Sequence, residues 1–205
     1  MKIIDMKIVV VGNPWKNWIF VKIFTDEGIE GLGECTGGLM TAPNEGSLKE
    51  LKSRIIGRDP TRVNELIDFV RKTLFLSRGG NALSGIEMAC WDIIGKTCGR
   101  PLYQLLGGKV REKIRVYANG WYQGPREPQA FAEKAAQMVE AGYTALKFDP
   151  FGKAYKFMSR EEEILSMDIV RAVRRTVGEQ VDLMIEAHDR FSLSQAVRLG
   201  QLLEE

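Results

Sequence analysis

The sequence predicts an α+β unit over residues 1–112 and a second unit, over residues 113–205, in which parallel strands alternate with helices. Two observations support this division. At the start of the chain, segments rich in β-branched and aromatic residues follow one another with only short connections, which is typical of an antiparallel meander. After about Lys113, strand-like and helix-like segments alternate three times, which is typical of parallel βα units.

The first unit begins with three predicted strands. They are KIIDMKIVVV (2–11), WIFVKIFTD (18–26) and IEGLGEC (29–35), joined by a polar Gly/Pro loop at 11–17 and a turn at 26–28. The helices that follow are predicted over residues 46–57, 61–75 and 81–101. Asp59 and Pro60 cap the second helix, and Gly99 ends the third.

The strands predicted in the second unit are apolar at nearly every position, as expected when helices cover one face and a core fills the other. They are KIRVYANG (113–120), TALKFD (144–149) and VDLMIEAH (181–188). Helices are predicted over residues 128–141, 159–176 and 192–205, with Ser159 capping the second and Ser192 or Ser194 the third. Three strands cannot close a barrel, because a complete (β/α)₈ barrel takes roughly 250 residues.

Composition argues against several classes of partner. Lys and Arg number 29 against 27 Asp and Glu, so the net charge of +2 offers no basic surface for nucleic acid or a membrane. Asp5 and Lys7 interrupt the first apolar run, which favours a strand over a signal peptide. No segment has the roughly 18 apolar residues of a transmembrane helix. Cys35, Cys90 and Cys98 lack CxxC spacing, which indicates reduced thiols in a cytoplasmic protein.

Polar side chains stand at the carboxyl ends of the three strands, where ligands bind in parallel α/β folds. They are Asn119, then Lys147 and Asp149, then Glu186 and His188, which is the only histidine of the chain. Residues two apart on a strand point to the same side. We therefore expect both charged pairs to face the barrel axis, with Phe148 and Ala187 turned toward the outer helices.

Ordinary structural roles also explain these residues. Lys147 and Asp149 can form a local ion pair, and His188 can be a hydrogen-bonding cap at a strand end. One glutamate does not make a metal site, because Mg²⁺ takes carboxylates together with waters or substrate oxygens. Two charged pairs on neighbouring units favour a functional site, since such charges are costly to bury without partners or a metal. Spacing alone leaves both explanations open.

Several segments resemble one enzyme family. ALSGIEMACWDIIGKTCGRPLYQLLGG (82–108) and TDEGIEGLGEC (25–35) resemble the mandelate racemase and muconate lactonising branch of the enolase superfamily. LKFD (146–149) and LMIEAHDRF (183–191) fall where that family has its second- and third-strand motifs. The resemblance implies an α+β capping domain followed by the parallel βα units of a (β/α) TIM-like barrel, incomplete in this chain. It also implies a Mg²⁺ ion that binds the substrate carboxylate and stabilises the enediolate formed when a base removes the α-proton.

The resemblance also implies roles for the strand-end residues. Glu186 takes the place of the first metal ligand, where the family more often has aspartate. His188 resembles the general acid of galactonate and gluconate dehydratases, which protonates the departing 3-hydroxyl. Lys147 matches the first lysine of a Lys-x-Lys motif and is expected to stay charged and bind the substrate carboxylate or enediolate as a catalytic residue. Asp149 replaces the second lysine, a base in the family, and is expected to bind substrate instead. The proton would then be taken by a histidine that lies outside this chain.

Loops are expected to add substrate contacts. In the family, substrates are selected by two capping loops, which correspond to residues 11–17 and 36–43. The candidate side chains are Trp15, Asn17, Trp18 and Met40, together with Trp121 and Tyr122 after the first barrel strand. Plain loop packing is the alternative for each. The family's other metal carboxylates and its histidine base have no counterpart, so we expect a fragment of a longer protein that does not turn over alone.

The sequence therefore favours a lyase that dehydrates a sugar acid of galactonate or gluconate type to a 2-keto-3-deoxy acid with Mg²⁺. A racemase or epimerase of the same superfamily, a Schiff-base aldolase using Lys147 and a non-catalytic sugar-acid-binding fragment remain as alternatives. The expected partner is a small-molecule sugar acid, without nucleic acid or membrane, and the protein is expected to be a cytoplasmic homo-oligomer.

Overall fold

The chain divides after Glu112 into two units, Met1–Glu112 and Lys113–Glu205, and each unit has a hydrophobic core of its own. The computed structural model describes residues 1–12, 16–74 and 80–204. Among these residues, no helix is both long enough and apolar enough to cross a membrane.

The first unit contains a three-stranded antiparallel sheet, which confirms the predicted meander. Its strands are β1 (Ile3–Gly12), β2 (Asn17–Thr25) and β3 (Glu30–Glu34), in the order β1-β2-β3. Ile19, Val21 and Ile23 are buried at alternate positions of β2, because one face of the sheet packs on helices. Gly28 completes the turn before β3 with a φ of +76°, which glycine adopts without steric cost.

Four helices follow in the described part of this unit. They are α1 (Thr41–Ile55), α2 (Val63–Leu74), α3 (Gly80–Cys98) and α4 (Leu102–Leu105). The predicted start of the first helix at Gly46 is wrong, since α1 begins at Thr41 and takes in the end of the predicted loop 36–43. Pro43 is tolerated in the first turn of α1 because the backbone N–H groups there have no partner within the helix.

Glycines allow α3 to lie directly on β3. A methyl group on Gly31 or Gly33 would overlap the backbone carbonyl of Ala89 or Gly85 in α3. A methyl group on Gly85 would in turn overlap the sulfur of Cys35. On its apolar face, α3 buries the side chains of Ala82, Ile86, Ala89, Cys90 and Ile93. The contact between helix and sheet is therefore made by backbone as much as by side chains.

The three cysteines are free, in agreement with the predicted reduced thiols. Burial raises the pKa of Cys35 and of Cys90 to about 12, so both thiols behave as small apolar core groups. Cys98 is exposed at the end of α3.

The second unit alternates helices and strands. Its elements are α5 (Pro128–Glu140), β4 (Ala145–Phe148), α6 (Arg160–Val177), β5 (Asp182–Ile185) and α7 (Leu193–Leu203). β4 and β5 pair in parallel, with Phe148 opposite Ile185. The N-caps predicted at Ser159 and Ser192 are confirmed, because each side chain accepts a hydrogen bond from a backbone N–H in the first turn of its helix.

The strand predicted over residues 113–120 is wrong except at Ala118, which forms an isolated parallel bridge with Leu146 of β4. Ile114 and Val116, earlier in the segment, are exposed. Arg115 anchors this segment, since its guanidinium donates to Thr144 Oγ1, to the Thr144 carbonyl and to Asp182 at distances of 2.6–3.0 Å. β-Branched residues favour a strand, but a strand forms only where a neighbour satisfies its backbone groups.

The core of the second unit lies between the two strands and the helices around them. Its buried members include Phe131, Ala135, Leu146, Phe148, Ile169 and Val173. A buried carboxylate, Glu163 of α6, accepts hydrogen bonds of 2.6 and 2.8 Å from Arg198 of α7. The Arg198 guanidinium is the main cause that holds the pKa of Glu163 below its usual range. This ion pair joins α7 to α6.

We expect Gly85→Ala to lower the free energy of unfolding by about 1–3 kcal/mol, because the added methyl group forces α3 away from Cys35. Urea denaturation monitored by tryptophan fluorescence measures the change. Gly46→Ala in α1 is the matched control: nothing lies within 4 Å of a methyl group there, and alanine gains about 0.5–1 kcal/mol over glycine in a helix. Wild-type stability of Gly85→Ala would contradict the close contact of α3 with β3.

Candidate active site

The predicted residues Lys147, Asp149, Glu186 and His188 lie at or just beyond the carboxyl ends of β4 and β5. The pairing of the two strands continues past the end of β5, since the backbone N–H of Glu186 donates to the carbonyl of Phe148 at 2.9 Å. This hydrogen bond holds the first residue after β5 against the last residue of β4. Side chains from the two strand ends can therefore meet.

Lys147 and Glu186 form an ion pair that joins the two strand ends. The exposed fractions of their side chains are 26% and 25%, so the pair is open to a ligand from solvent. The hydrogen bond from Lys147 is the main cause that holds the pKa of Glu186 below its usual range, and the backbone N–H of His188 adds to it. The same hydrogen bond raises the pKa of Lys147. Both groups are therefore charged at neutral pH.

Asp149 pairs with Arg190. One terminal nitrogen of Arg190 lies 2.5 Å from a carboxylate oxygen of Asp149, which also accepts a hydrogen bond of 2.9 Å from the backbone N–H of Phe151. Lys147 and Asp149 therefore do not pair with each other as the local ion pair would require. β4 ends at Phe148, and each of the two residues pairs with a residue that follows β5. Phe148 is buried on the core side, as predicted from the alternation along β4.

His188 does not lie on a strand, so the alternation used to orient it does not apply. β5 ends at Ile185, and His188 and Asp189 have φ values of +55° and +52°. The backbone N–H of His188 donates to a carboxylate oxygen of Glu186 at 2.7 Å. The expectation that Ala187 is covered by the outer helices is wrong, since both Ala187 and His188 are exposed. His188 therefore stands on a left-handed turn whose backbone is bonded to Glu186, and its imidazole is exposed.

Trp121 and Tyr122 belong to an aromatic cluster that packs on β4. The ring centroid of Trp121 lies 5.4 Å from that of Phe148 and 6.2 Å from that of Phe131. Burial is the main cause that raises the pKa of Tyr122, and the negative charge of Asp149 contributes. This packing supports the alternative in which Trp121 packs its loop against the core of the second unit. A contact of Trp121 with substrate stays a prediction.

The other predicted contact residues belong to the first unit. Asn17 begins β2 and donates from its side-chain amide to Thr41 Oγ1 at 3.2 Å, which ties the start of β2 to the start of α1. Lys16 Nζ lies 4.2 Å from the ring centroid of Trp18. Met40 is exposed just before α1. Trp15 lies outside the described residues. The substrate contacts expected of these side chains stay predictions.

The described residues do not form a metal site by themselves. Within residues 1–12, 16–74 and 80–204, no group of three or more His, Cys, Asp or Glu side chains is placed to hold an ion. Glu186 is the carboxylate that pairs with Lys147, and its two oxygens accept from Lys147 and from the His188 N–H. A Mg²⁺ ion takes six oxygen ligands, so further ligands are required. Glu186 fits one position of such a set and cannot make the set alone.

Sequence reasoning missed three residues around these charges. Arg190 was overlooked because its partner, Asp149, is distant in sequence and no periodic pattern links the two. Arg126 donates to the carbonyl of Pro150 at 2.8 Å and to Ser166 Oγ at 2.7 Å, and so supports the loop that begins at Asp149. Tyr117 lies with its ring centroid 6.0 Å from Lys147 Nζ. Of the three, only Tyr117 could have been proposed from the sequence, because it lies near the end of a predicted strand.

Two family models match the chain. The model described as mandelate racemase / muconate lactonizing enzyme, N-terminal domain, matches residues 5–107, and the model described as enolase C-terminal domain-like matches residues 130–205. The chain belongs to the mandelate racemase/muconate lactonizing enzyme family. The resemblance inferred from residues 82–108 and 25–35 is thus confirmed.

Several curated proteins that are similar to this family member are sugar-acid dehydratases. The D-gluconate dehydratase of Thermoproteus tenax is 42% identical over 195 residues, which cover 93% of this chain and 39% of that protein. The D-gluconate/D-galactonate dehydratase of Picrophilus torridus is 38% identical, covering 94% and 51%. The D-xylonate dehydratase of Haloferax volcanii is 33% identical, covering 100% and 52%. The chain spans about half the length, or less, of these relatives.

Solved structures show the same fold. A member of the enolase superfamily from Salmonella Typhimurium matches with a TM-score of 0.89 at 33% identity, over 99% of this chain and 59% of that chain. A mandelate racemase/muconate lactonizing enzyme from Sulfitobacter sp. matches with a TM-score of 0.88 at 32% identity, over 99% and 57%. The fold class expected from the resemblance is confirmed at the level of the superfamily. That the second unit is part of a larger barrel stays a prediction.

Lys147→Met is expected to raise the pKa of the Glu186 carboxyl toward its usual value, because it removes the hydrogen bond that lowers that pKa most. The ion pair makes its full contribution to the stability of the fold at pH values between about 4.5, the usual pKa of Glu186, and about 10.5, the usual pKa of Lys147. Its contribution is lost as the pH falls through the lowered pKa of Glu186 or rises through the raised pKa of Lys147. Titration of the labelled carboxyl carbons by NMR measures the change.

Lys153→Met is the control for this titration, because it removes a lysine from an exposed position of the loop after β4. An unchanged Glu186 titration in Lys147→Met, or an equal change in Lys153→Met, would contradict the ion pair.

Proposed function

We propose that the protein is a sugar-acid dehydratase that converts an aldonic acid of gluconate or galactonate type to a 2-keto-3-deoxy acid. The observation that carries the proposal is the cluster at the ends of β4 and β5, in which a charged lysine, a carboxylate and a histidine stand together on a chain similar to three sugar-acid dehydratases. Dehydration needs a cation near the substrate carboxylate and an acid near the leaving hydroxyl, and this cluster offers both.

The reaction divides into two half-reactions. A base removes the proton from C2, and the electrons pass into the carboxylate as an enediolate. The bond from C3 to its hydroxyl then breaks, the departing oxygen takes a proton and leaves as water, and the resulting enol becomes the 2-keto acid. Hydroxide is a poor leaving group, so the second half-reaction needs a positioned acid. His188, exposed on its turn beside Glu186, is proposed as this acid.

Lys147 is proposed to bind the substrate carboxylate. Its ion pair with Glu186 raises its pKa, so the side chain remains a cation that can stabilise the negative charge of the enediolate. The same observation argues against a Schiff-base aldolase, because a lysine nucleophile must be uncharged and needs a lowered pKa. The base that removes the C2 proton is not assigned to any residue of this cluster.

Mg²⁺ is proposed as the cofactor, with Glu186 as one of its ligands. A bound divalent cation would polarise the substrate carboxylate and make the C2 proton more acidic. Glu186 supplies an oxygen ligand of the kind that Mg²⁺ prefers, at the exposed end of β5.

A racemase or epimerase is the second candidate, since it shares the proton abstraction and differs only in the fate of the enediolate. His188 favours dehydration, because returning a proton to C2 needs no acid at the 3-hydroxyl. Incubation of the whole protein with D-gluconate and D-galactonate separates the candidates: a 2-keto-3-deoxy acid indicates dehydration, and an epimer indicates the alternative. Binding of a sugar acid without turnover or metal dependence would indicate a non-catalytic protein.

Glu186→Gln is expected to weaken Mg²⁺ binding by at least about 10–100-fold, the range already produced by changing residues that only support a metal ligand. Isothermal titration of the whole protein with Mg²⁺ measures this loss. Glu179→Gln is the matched control, because it makes the same charge change at an exposed position before β5. Wild-type affinity in Glu186→Gln would remove Glu186 from the metal site.

His188→Asn is expected to slow dehydration by about 10²–10⁴-fold, the usual contribution of a positioned general acid. Exchange of the C2 proton with solvent deuterium should continue, because the base is a different group. Product formation and deuterium incorporation, followed by NMR in the whole protein, measure the two half-reactions. Asp189→Asn, a change in the same turn, is the control. Near wild-type dehydration, or the loss of both half-reactions, would refute this assignment of His188.

A further inference from the structure

The loop after β4 and the loop after β5 are joined by their main chains. Lys156 donates its backbone N–H to the carbonyl of Arg190 at 2.8 Å, and Ser192 donates its backbone N–H to the carbonyl of Lys156 at 3.0 Å. The two bonds enclose Phe191, which forms a parallel bridge with Lys156. Each loop therefore limits the conformations of the other.

Arg190 adds a side-chain connection between the same two loops. Its terminal nitrogens donate to the Asp149 carboxylate at 2.5 Å and to the Gly152 carbonyl at 3.1 Å. The exposed fractions of the Arg190 and Asp149 side chains are 18% and 19%, so solvent screens this pair less than a surface pair. The neighbouring rings of Phe151 and Phe191 meet edge to face, with centroids 5.0 Å apart. One arginine thus holds the start of the first loop to the end of the second.

The turn that Arg190 closes is conformationally costly. His188 and Asp189 both have a positive φ, a region that residues other than glycine occupy rarely. Two such residues in succession persist only when the surrounding structure holds them. On one side, the His188 N–H is bonded to Glu186. On the other side, the next residue is Arg190, bonded through its side chain and its carbonyl to the loop after β4.

We propose that Arg190 is a positioning residue for His188. Through Asp149 and Gly152 it holds the left-handed turn at residues 188–189, and His188 is thereby kept at the end of β5 with its backbone bonded to Glu186. Asp149 then serves as the anchor of Arg190, which explains why an acidic residue follows β4 by one position. The catalytic consequence rests on the proposed function of His188, whereas the structural part of the proposal does not.

A direct contact of Arg190 with the substrate carboxylate is the alternative use of the same guanidinium. The geometry favours positioning, because both terminal nitrogens already donate to protein acceptors and four-fifths of the side chain is covered. The two roles predict different kinetics. Loss of a substrate contact raises KM, whereas loss of positioning lowers kcat for the step that needs His188.

Hydrogen exchange in the whole protein tests the structural part. In Arg190→Met, the backbone amides of Lys156 and Ser192 should exchange about 10–100-fold faster, the size expected when a hydrogen bond to a charged group is lost. Arg115→Met is the matched control, because that arginine also joins three polar groups of this unit but at the opposite ends of the strands. Unchanged protection in Arg190→Met, or equal loss in Arg115→Met, overturns the proposal.

Kinetics test the catalytic part. Arg190→Met should lower kcat for dehydration at least tenfold while KM and the exchange of the C2 proton stay near wild type, and Asp149→Asn should reproduce this pattern. Arg190→Lys should restore part of the rate, since a lysine can reach one of the two acceptors. A raised KM with unchanged kcat, or equal loss of dehydration and exchange, overturns positioning. If the wild-type protein dehydrates no sugar acid, the proposed function fails, and the hydrogen-exchange result still decides whether Arg190 holds the turn.

Discussion

The parallel pairing of β4 and β5 is the constraint on which the candidate site depends. Phe148 is fully buried in the core of the second unit, and its carbonyl accepts the N–H of Glu186. A buried phenylalanine contributes about 1.5–3 kcal/mol and makes the position of the strand end hard to change. Because the burial of Phe148 fixes the end of β4, the side chain of Lys147, on the opposite face of that strand, meets Glu186 directly after β5. A hydrophobic residue thus determines where the charges lie.

The Lys147–Glu186 pair then determines what chemistry is available at this end of the sheet. Each group stabilises the charged form of the other, so the lysine is a cation and the glutamate an anion throughout the neutral range. A cation beside the substrate suits a reaction in which negative charge develops on a carboxylate. A lysine that stays charged does not suit covalent catalysis, because the amine must be uncharged to act as a nucleophile. A ligand cation at Glu186 would compete with Lys147 for the carboxylate, and the freed ammonium group would then be available to substrate.

Local signals predicted most of the elements, and non-local contacts decided the rest. The N-caps at Ser159 and Ser192 depend on a hydrogen bond within one turn, so four residues of sequence suffice to predict them. The segment at 113–120 has strand-like composition, but strand formation depends on a neighbour, and only Ala118 has one. His188 was oriented by strand alternation, although β5 ends at Ile185 and a left-handed turn comes after it.

The partners of the charged residues could not be predicted for a related reason. Spacing suggested that Lys147 and Asp149, two apart on one strand, interact with each other. In the folded chain each pairs with a residue that follows β5. Glu186 lies diagonally across from Lys147, whose direct neighbour on β5 is Met184. The rule for neighbouring strands is therefore more useful here than the rule for a single strand: charges at adjacent carboxyl ends should first be paired across the sheet. Applied to the segments that follow β4 and β5, this rule pairs Asp149, the acidic residue after β4, with Arg190, the arginine of HDRF (188–191) after β5.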